Sequence, residues 1–390
     1  MSRWSVAAAV LAAFVCCSAP AQAADWPQFG FDAAHTSNQR ADSQLSPAAV
    51  RHLHFAWAAE VGTSAPLAAP VIGGGRLFVS RGGCPWTSPD VFAFTAAQGL
   101  PLWSQLLPDG ESVVAAAFER VRSTLEVGDA VGGLWSLDDR TGSILDGRAV
   151  GGAAVSVTVA GPSVYLASGG QVVALRPSGE WSVSMPALET VAGPVAVFKD
   201  VVYVSGSESV FALRASDGKL LWRSDLGRRL APPAVDENAV YIGGWILSAL
   251  DRKTGSTLWQ SDAVGVNVTT PAIVGDRLVV NAQDPQFGLS AVDERNGQLL
   301  WNDEVTEEAQ DTPAAVNGVV FEVTEGGELV AVDATDGSLL ATIGDPSGLP
   351  FDSAFGVNPF AQVAIADGRV YVATAADGVP NRVDVFDTGP

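Results

Sequence analysis

The chain has 390 residues, 47% of them hydrophobic and 17% charged, with a formal net charge of −21. That composition suffices for a large core and excludes intrinsic disorder. The acidity excludes nucleic acid and anionic membrane surfaces as partners, because phosphate binding needs clustered Lys and Arg.

Residues 1–23 read as a leader rather than as part of the fold. Arg3 gives a basic start, Val6 to Cys17 form an apolar run, and Ala21-Gln22-Ala23 offers an A-x-A cleavage site before Ala24. The run is too short to span a bilayer. The Cys16-Cys17 pair invites a lipoprotein reading, but bulky residues stand where a lipobox carries small ones. The chain is therefore expected to be exported, periplasmic or extracellular, with no transmembrane segment. Two of the three cysteines fall in the leader, so the mature chain keeps Cys84 alone, either buried or as a free thiol.

The stretch DWPQFGFDAAHTSNQ, residues 25–39, has no clear period and several turn formers. In residues 53–57 Leu53, Phe55 and Trp57 alternate as in a strand. A repeat then begins. In LSALDRKTGSTLWQ, residues 247–260, an alternating run leads to a turn at Thr254-Gly255 and back to a strand bearing Trp259. Residues 289–302 keep the Asp, Gly and Trp of this hairpin, and residues 210–223 keep the Gly and Trp. Copies marked by Gly99, Gly142, Gly179, Gly218, Gly255, Gly297 and Gly337 give a period of roughly 40 residues. Asp146 and Ala341 stand where two of the copies would carry Trp, and the copy ending at Trp181 is shortened. Each hairpin follows another β-rich pair, as in residues 270–280, so one repeat holds four strands in meander order.

These features predict an all-β fold, an eight-bladed β-propeller of four-stranded antiparallel blades. Seven hairpins lie within the chain, and the last blade is closed by the N-terminal strand that ends at Trp57, paired with the C-terminal stretch before Asp387-Thr388-Gly389. Residues 24–390 are expected to form one propeller domain, and a monomer.

The pattern A-[LV]-D-x-x-[TN]-G-x-x-x-W, with the opening DWPQFGFDAAHTS, resembles the pyrroloquinoline-quinone (PQQ)-type propeller repeat family over nearly the whole mature chain. The resemblance implies that Trp57, Trp103, Trp181, Trp222, Trp259 and Trp301 dock each blade against the next. The family includes quinone-dependent alcohol and sugar dehydrogenases, and propellers without cofactor such as the outer-membrane β-barrel assembly lipoprotein. The dehydrogenases carry adjacent cysteines, a Ca²⁺ held by Glu and Asn, and an Asp base. Here Cys84 is flanked by Gly83 and Pro85, and no Glu, Asn and Asp set carries over residue by residue.

Loop lengths point to one face. Turns between first and second strands are short, as are the Asp-x-x-Thr-Gly turns, and both kinds share one end of a propeller. The long connections, residues 81–90, 282–288, 344–360 and 375–382, share the other. Loops on a rigid scaffold are the usual seat of recognition. The candidate binding residues there are Trp86, Phe287, Phe351, Phe355 and Phe360, with Arg81, Asp90, Asp284, Asp311 and Asp352. The competing reading is that the aromatics plug the funnel and the charges are solvated. His52 and His54 at i, i+2 on one strand lack a third ligand nearby, and no nucleophile, phosphate-loop or metal motif is present. The expected function is a secreted, non-catalytic propeller that binds a protein or polysaccharide partner, with no catalytic residue, metal or cofactor. The alternative is a PQQ- and calcium-dependent alcohol or sugar dehydrogenase, and a third reading is a hydrolase or lyase with carboxylates at the funnel.

Overall fold

A computed structural model of the chain describes residues 24–42, 44–62, 67–82, 90–108, 112–152, 156–186, 189–191, 193–283, 288–303, 312–324, 327–344, 363–374 and 381–389. Eight four-stranded antiparallel blades form a propeller, seven of them built of four consecutive strands and the eighth of the last three strands with His54–Glu60. Blade 5 is typical: its strands are Ala234–Val235, Val240–Ile242, Leu247–Leu250 and Thr257–Ser261, paired in chain order. First strands of consecutive blades neighbour one another, and the first strand of blade 8, Ala364–Ala366, meets that of blade 1, Val71–Gly73, which closes the ring. Burial follows from this geometry. First strands are buried throughout most of their length, whereas fourth strands such as Leu220–Asp225 face solvent at most positions.

The last blade is sealed by the chain ends. His54–Glu60 pairs antiparallel with Arg382–Asp387, and Trp57 lies opposite Val385. The seam is therefore hydrogen-bonded and leaves no free edge between the termini. His52, however, ends a 3₁₀ helix, Val50–His52, so it does not share a strand with His54; the Nε2 of His54 lies 3.5 Å from Asp387.

The repeat motif explains how neighbouring blades hold together. Tyr241, Ala249 and Trp259 oppose one another across three adjacent strands of blade 5. Strands two apart are separated by roughly 9.5 Å. With the small Ala249 between them the two rings lean over it and meet, at 6.5 Å between centroids, and in blade 8 Tyr371 and Trp57 meet at 6.1 Å across Val385. Phe78–Ala93–Trp103, Tyr165–Ala174–Trp181 and Tyr203–Ala212–Trp222 repeat the arrangement. Each indole then reaches the next blade. Trp259 donates Nε1–H to the Glu294 carbonyl at 3.0 Å and lies flat over Gly297, where a Cβ would sit 2.5 Å from the ring. Trp57, Trp103, Trp181, Trp222 and Trp301 make the same pair of contacts, to Ala97, Asp139, Ala215, Arg252 and Ala334 and over Gly99, Gly142, Gly218, Gly255 and Gly337.

Two of the eight junctions lack this indole, and each is filled differently. Asp146 stands opposite Ser136 at the outer strand of blade 2, and Gly179 of blade 3 has no atom over it within 4 Å. There Arg148 reaches Glu180 across the junction at 2.6 Å. Ala341 stands opposite Ala331 in blade 7. Leu45, Val50 and Leu53, around the 3₁₀ helix, pack with Leu340 and Ala341 in one apolar cluster at that junction.

The stretch without periodicity, residues 25–39, has the most regular role of all. It runs as a strap around the inside of the ring and visits the blades in order. The N–H groups of Ile72, Phe118, Val197, Val235, Ile273 and Ala315, each next to the end of its first strand, donate to carbonyls of Trp26, Pro27, Ala33, Ala34, Thr36 and Ser37. In blade 3 the side chain of Gln28 substitutes, accepting from the Val159 N–H and donating to its carbonyl. Asn38–Gln39 then pairs in parallel with Ala314–Val316 of blade 7, and Asp42 accepts the Gly368 N–H of blade 8. Positive φ angles at Gly30 (65°), Phe31 (71°), His35 (56°) and Ser37 (50°) provide the tight inward turns.

Candidate functional site

The two ends of the ring are unlike. At the end of the tight turns, the strap lines the inside of the ring. Phe29 and His35 meet edge to face with centroids 5.1 Å apart, both buried, and Trp26 leans on Phe31 at 5.3 Å. His35 Nδ1 is 3.0 Å from the Pro233 carbonyl, while its Nε2 is buried without a hydrogen-bond partner among the described residues. Burial pushes its pKa down to about 4, only partly opposed by the Pro233 contact. Grooves of about 530 and 500 Å³ run along this end. The first is lined by Arg40, Arg277 and Asn317, the second by Gln28, Asp32 and Arg120.

At the other end, strand alternation sends out the connections between second and third strands and those between blades. Of the ten candidate binding residues, Arg81 and Asp90 are described; Trp86, Asp284, Phe287, Asp311, Phe351, Asp352, Phe355 and Phe360 lie outside the described residues, as does Cys84. Arg81 and Asp90 form the feet of the 81–90 connection. Their side chains are 1% and 2% exposed and joined at 3.1 Å. The second Asp90 oxygen accepts the Leu107 N–H at 2.8 Å, and the backbone N–H of Arg81 donates to the Asp90 carbonyl. Burial raises the Asp90 pKa, with the Leu107 N–H and the guanidinium acting against it. The pair pins the base of the connection to blade 1.

A second polar knot lies between blades 3 and 4. Glu189 accepts from the Ser209 hydroxyl at 2.6 Å, the Ser207 hydroxyl at 3.1 Å and the Glu208 N–H at 3.2 Å, with Arg223 3.6 Å away. Burial acts to raise its pKa, but these donors together hold it below the ordinary carboxylate value. A third knot is the bond from Asn281 to Glu322, 2.6 Å long and buried between blades 6 and 7.

Sequence reasoning missed Trp245. It lies in the short link between the second and third strands of blade 5, at the end of the long connections, and is 57% exposed. It is the one exposed tryptophan among the described residues. Its backbone is firm: Gly244 bridges to Val268 by two 2.7 Å hydrogen bonds, and Gly243 lies so close to Thr269 that a Cβ would come 2.1 Å from the carbonyl oxygen. Its signal in the sequence is weak, since aromatics also stand in the corresponding links of blades 1 and 6, as Trp86 and Phe287.

The sequence matches, over residues 170–312 and 232–386, the family model described as outer membrane protein assembly factor BamB. The chain belongs to the PQQ-like β-propeller family. No curated protein matches the sequence significantly. Among solved structures, BamB from Moraxella catarrhalis is similar with a TM-score of 0.66 at 15% identity, covering 86% of this chain and 99% of that one. Quinohemoprotein alcohol dehydrogenase from Comamonas testosteroni is similar with a TM-score of 0.70 at 17% identity, covering 94% and 81%. A computationally designed protein, Ika8, gives 0.68 at 17% identity, covering 84% and 99%. At these identities the likeness concerns the fold, which PQQ-like propellers with and without chemistry share.

Whether the residues present suit a quinone–calcium site is a question of donors. Several described side chains of the ring bond protein groups: Asp90 pairs with Arg81, Glu189 accepts from two serines, and Glu322 accepts from Asn281. Among the described residues no group of three or more His, Cys, Asp or Glu side chains is placed to hold a metal ion.

Proposed function

We propose that the chain is an exported, non-catalytic PQQ-like propeller that binds a protein partner at the end carrying the long connections. The observation that carries this reading is Trp245, a large exposed ring on a braced backbone. In this chain the other described tryptophans are turned into the structure, three of them 1–9% exposed and five half-buried. Tryptophan is enriched at the centres of protein interfaces, and a rigid support lowers the ordering cost of using it. The opposite end is lined by the strap, and Arg81, Asp90 and Glu189 stiffen the roots of the connections. Trp86, Phe287, Phe351, Phe355 and Phe360, with Asp284, Asp311 and Asp352, would complete the surface. No helix of the described residues is long and apolar enough to cross a membrane. The family model's own description, an assembly factor, favours a protein over a polysaccharide.

The test is site-specific photocrosslinking in the exporting cell, from Trp245 or Phe355 at one end and from Asn317 at the other. A discrete protein adduct from the first two positions alone is expected. Trp245→Ala should weaken the purified complex about tenfold or more with the melting temperature unchanged. Adducts from Asn317 only, selective binding on a glycan array, or dye-linked oxidation of an alcohol after incubation with PQQ and Ca²⁺ would each overturn the reading.

A further inference from the structure

The strap begins and ends at the same place. Asp42 meets the Gly368 N–H at its far end, and at its near end the backbone nitrogen of Ala24 donates to Asp367 Oδ1 at 2.6 Å, in the same turn of blade 8. Ala24 is 8% exposed. Asp367 has the left-handed φ, 48°, of its two-residue turn with Gly368. The neighbourhood is acidic: Asp25 is buried one residue along, close enough to Asp367 for the two carboxylates to repel, and Asp42 lies beyond. Arg120 pairs with Asp25, and Arg369 donates to the backbone carbonyl of Asp367 at 3.2 Å. Neither supplies a cation to the Asp367 carboxylate in these contacts. A separate observation falls on the same atom, because Ala21-Gln22-Ala23 marks the bond before Ala24 as the one a leader-removing endopeptidase would cut.

We propose that cleavage of the Ala23–Ala24 bond creates an N-terminal α-ammonium that pairs with Asp367 and locks the strap. In that hydrolysis the carbon–nitrogen bond breaks, water gives its hydroxyl to the Ala23 carbonyl and a proton to the Ala24 nitrogen, and the freed amine takes a further proton at neutral pH. An uncharged amide with one hydrogen becomes a cation with three, at hydrogen-bond distance from a carboxylate. Such charge-assisted bonds are about twice as strong as neutral ones. The precursor would hold the same contact without the charge, so the circuit around the eight blades becomes secure only after export. The inference shares the export reading above, but the lock itself is independent of any partner.

Two measurements test it. N-terminal sequencing of the exported protein should return Ala24; any other first residue overturns the proposal, whatever becomes of the binding function. Separately, mature chain released in vitro with Ala24 first is compared with the same chain Nα-acetylated or carrying an added Gly-Ser. The added groups should lower the melting temperature by about 2–6 °C in the wild type and by no more than about 1 °C in Asp367→Asn. Equal losses in both backgrounds, or none in the wild type, would overturn the lock. Should Asp367→Asn fail to fold, the amine itself gives the answer. Paired, it should titrate above the ordinary α-amino range of about 7.7–8.0 and resist acylation until the protein is unfolded; an ordinary, reactive amine would count against the pair.

Discussion

At the scale of the residue, the repeat motif is a set of size constraints. A compact residue, Ala in four blades and Val385 in blade 8, stands between the second-strand ring and the fourth-strand indole, which meet above it. Asp251 shapes the turn by accepting from the Lys253 and Thr254 N–H groups and the Thr254 hydroxyl, at 2.8–3.0 Å, and those bonds, the hydroxyl first, depress its pKa. Gly255 serves twice, through its φ of 72° and through the absence of a Cβ under Trp222. The two services can be separated. Gly275 has a nearly equal φ of 66° but no atom within 4 Å of its would-be Cβ. Gly275→Ala should cost about 1 kcal/mol for its backbone alone. Gly255→Ala should cost at least about 2 kcal/mol more, since the indole must be displaced. Chemical denaturation of the two variants checks this, and equal losses would show that the indole does not press on the glycine.

At the scale of the element, the strap shows how a segment without periodicity can be fully specified. Its partners are N–H groups of six first strands, with Gln28 serving the seventh, so its own side chains need not alternate. What its sequence must supply is left-handed turns and a few buried polar groups. One of these is His35. Its pKa is lowered from 6.5 to about 4, so between those values the unfolded chain binds a proton that the folded chain refuses. Stability is therefore complete above about pH 6.5 and falls as the pH drops toward 4, by roughly 3 kcal/mol in total. Asp25 and Asp32 have raised pKa values from burial and act in the opposite sense at lower pH. The difference between wild type and His35→Asn isolates the histidine. The variant should lose the slope between pH 6.5 and 4 in urea titrations, and a slope that persisted would place the acid sensitivity elsewhere.

At the scale of the whole molecule, two devices close the ring, and they are separable. The strap ties the inner strands to one another, and His54–Glu60 closes the outer seam against Arg382–Asp387. A chain lacking residues 24–42 loses the first and keeps the second. It should remain monomeric with a lower melting temperature, because the released N–H groups can be rehydrated once the axial opening is exposed. A chain that starts at Val61 also leaves Arg382–Asp387 as an unpaired edge and should self-associate, as bare edges do. Light scattering of the two truncations checks the order; a monodisperse second truncation would mean that the seam is not what holds the ring shut.

Alternation, turn glycines and a period near 40 residues determined the blades, their number and the junction through Trp57, because each of these signals is local and repeats. Trp103, Trp181, Trp222, Trp259 and Trp301 could be placed on outer strands for the same reason. The path of residues 25–39 could not be read, since its bonds run to strands up to 278 residues away (Ser37 to Ala315) and use the backbone. Trp245 was overlooked because exposure is a property of the assembled ring. Arg81 and Asp90 have the look of surface charges in sequence, and only packing shows them locked together under a connection. The chain thus encodes its architecture in short-range pattern. The difference between its two ends arises from long-range contacts that no window of the sequence contains.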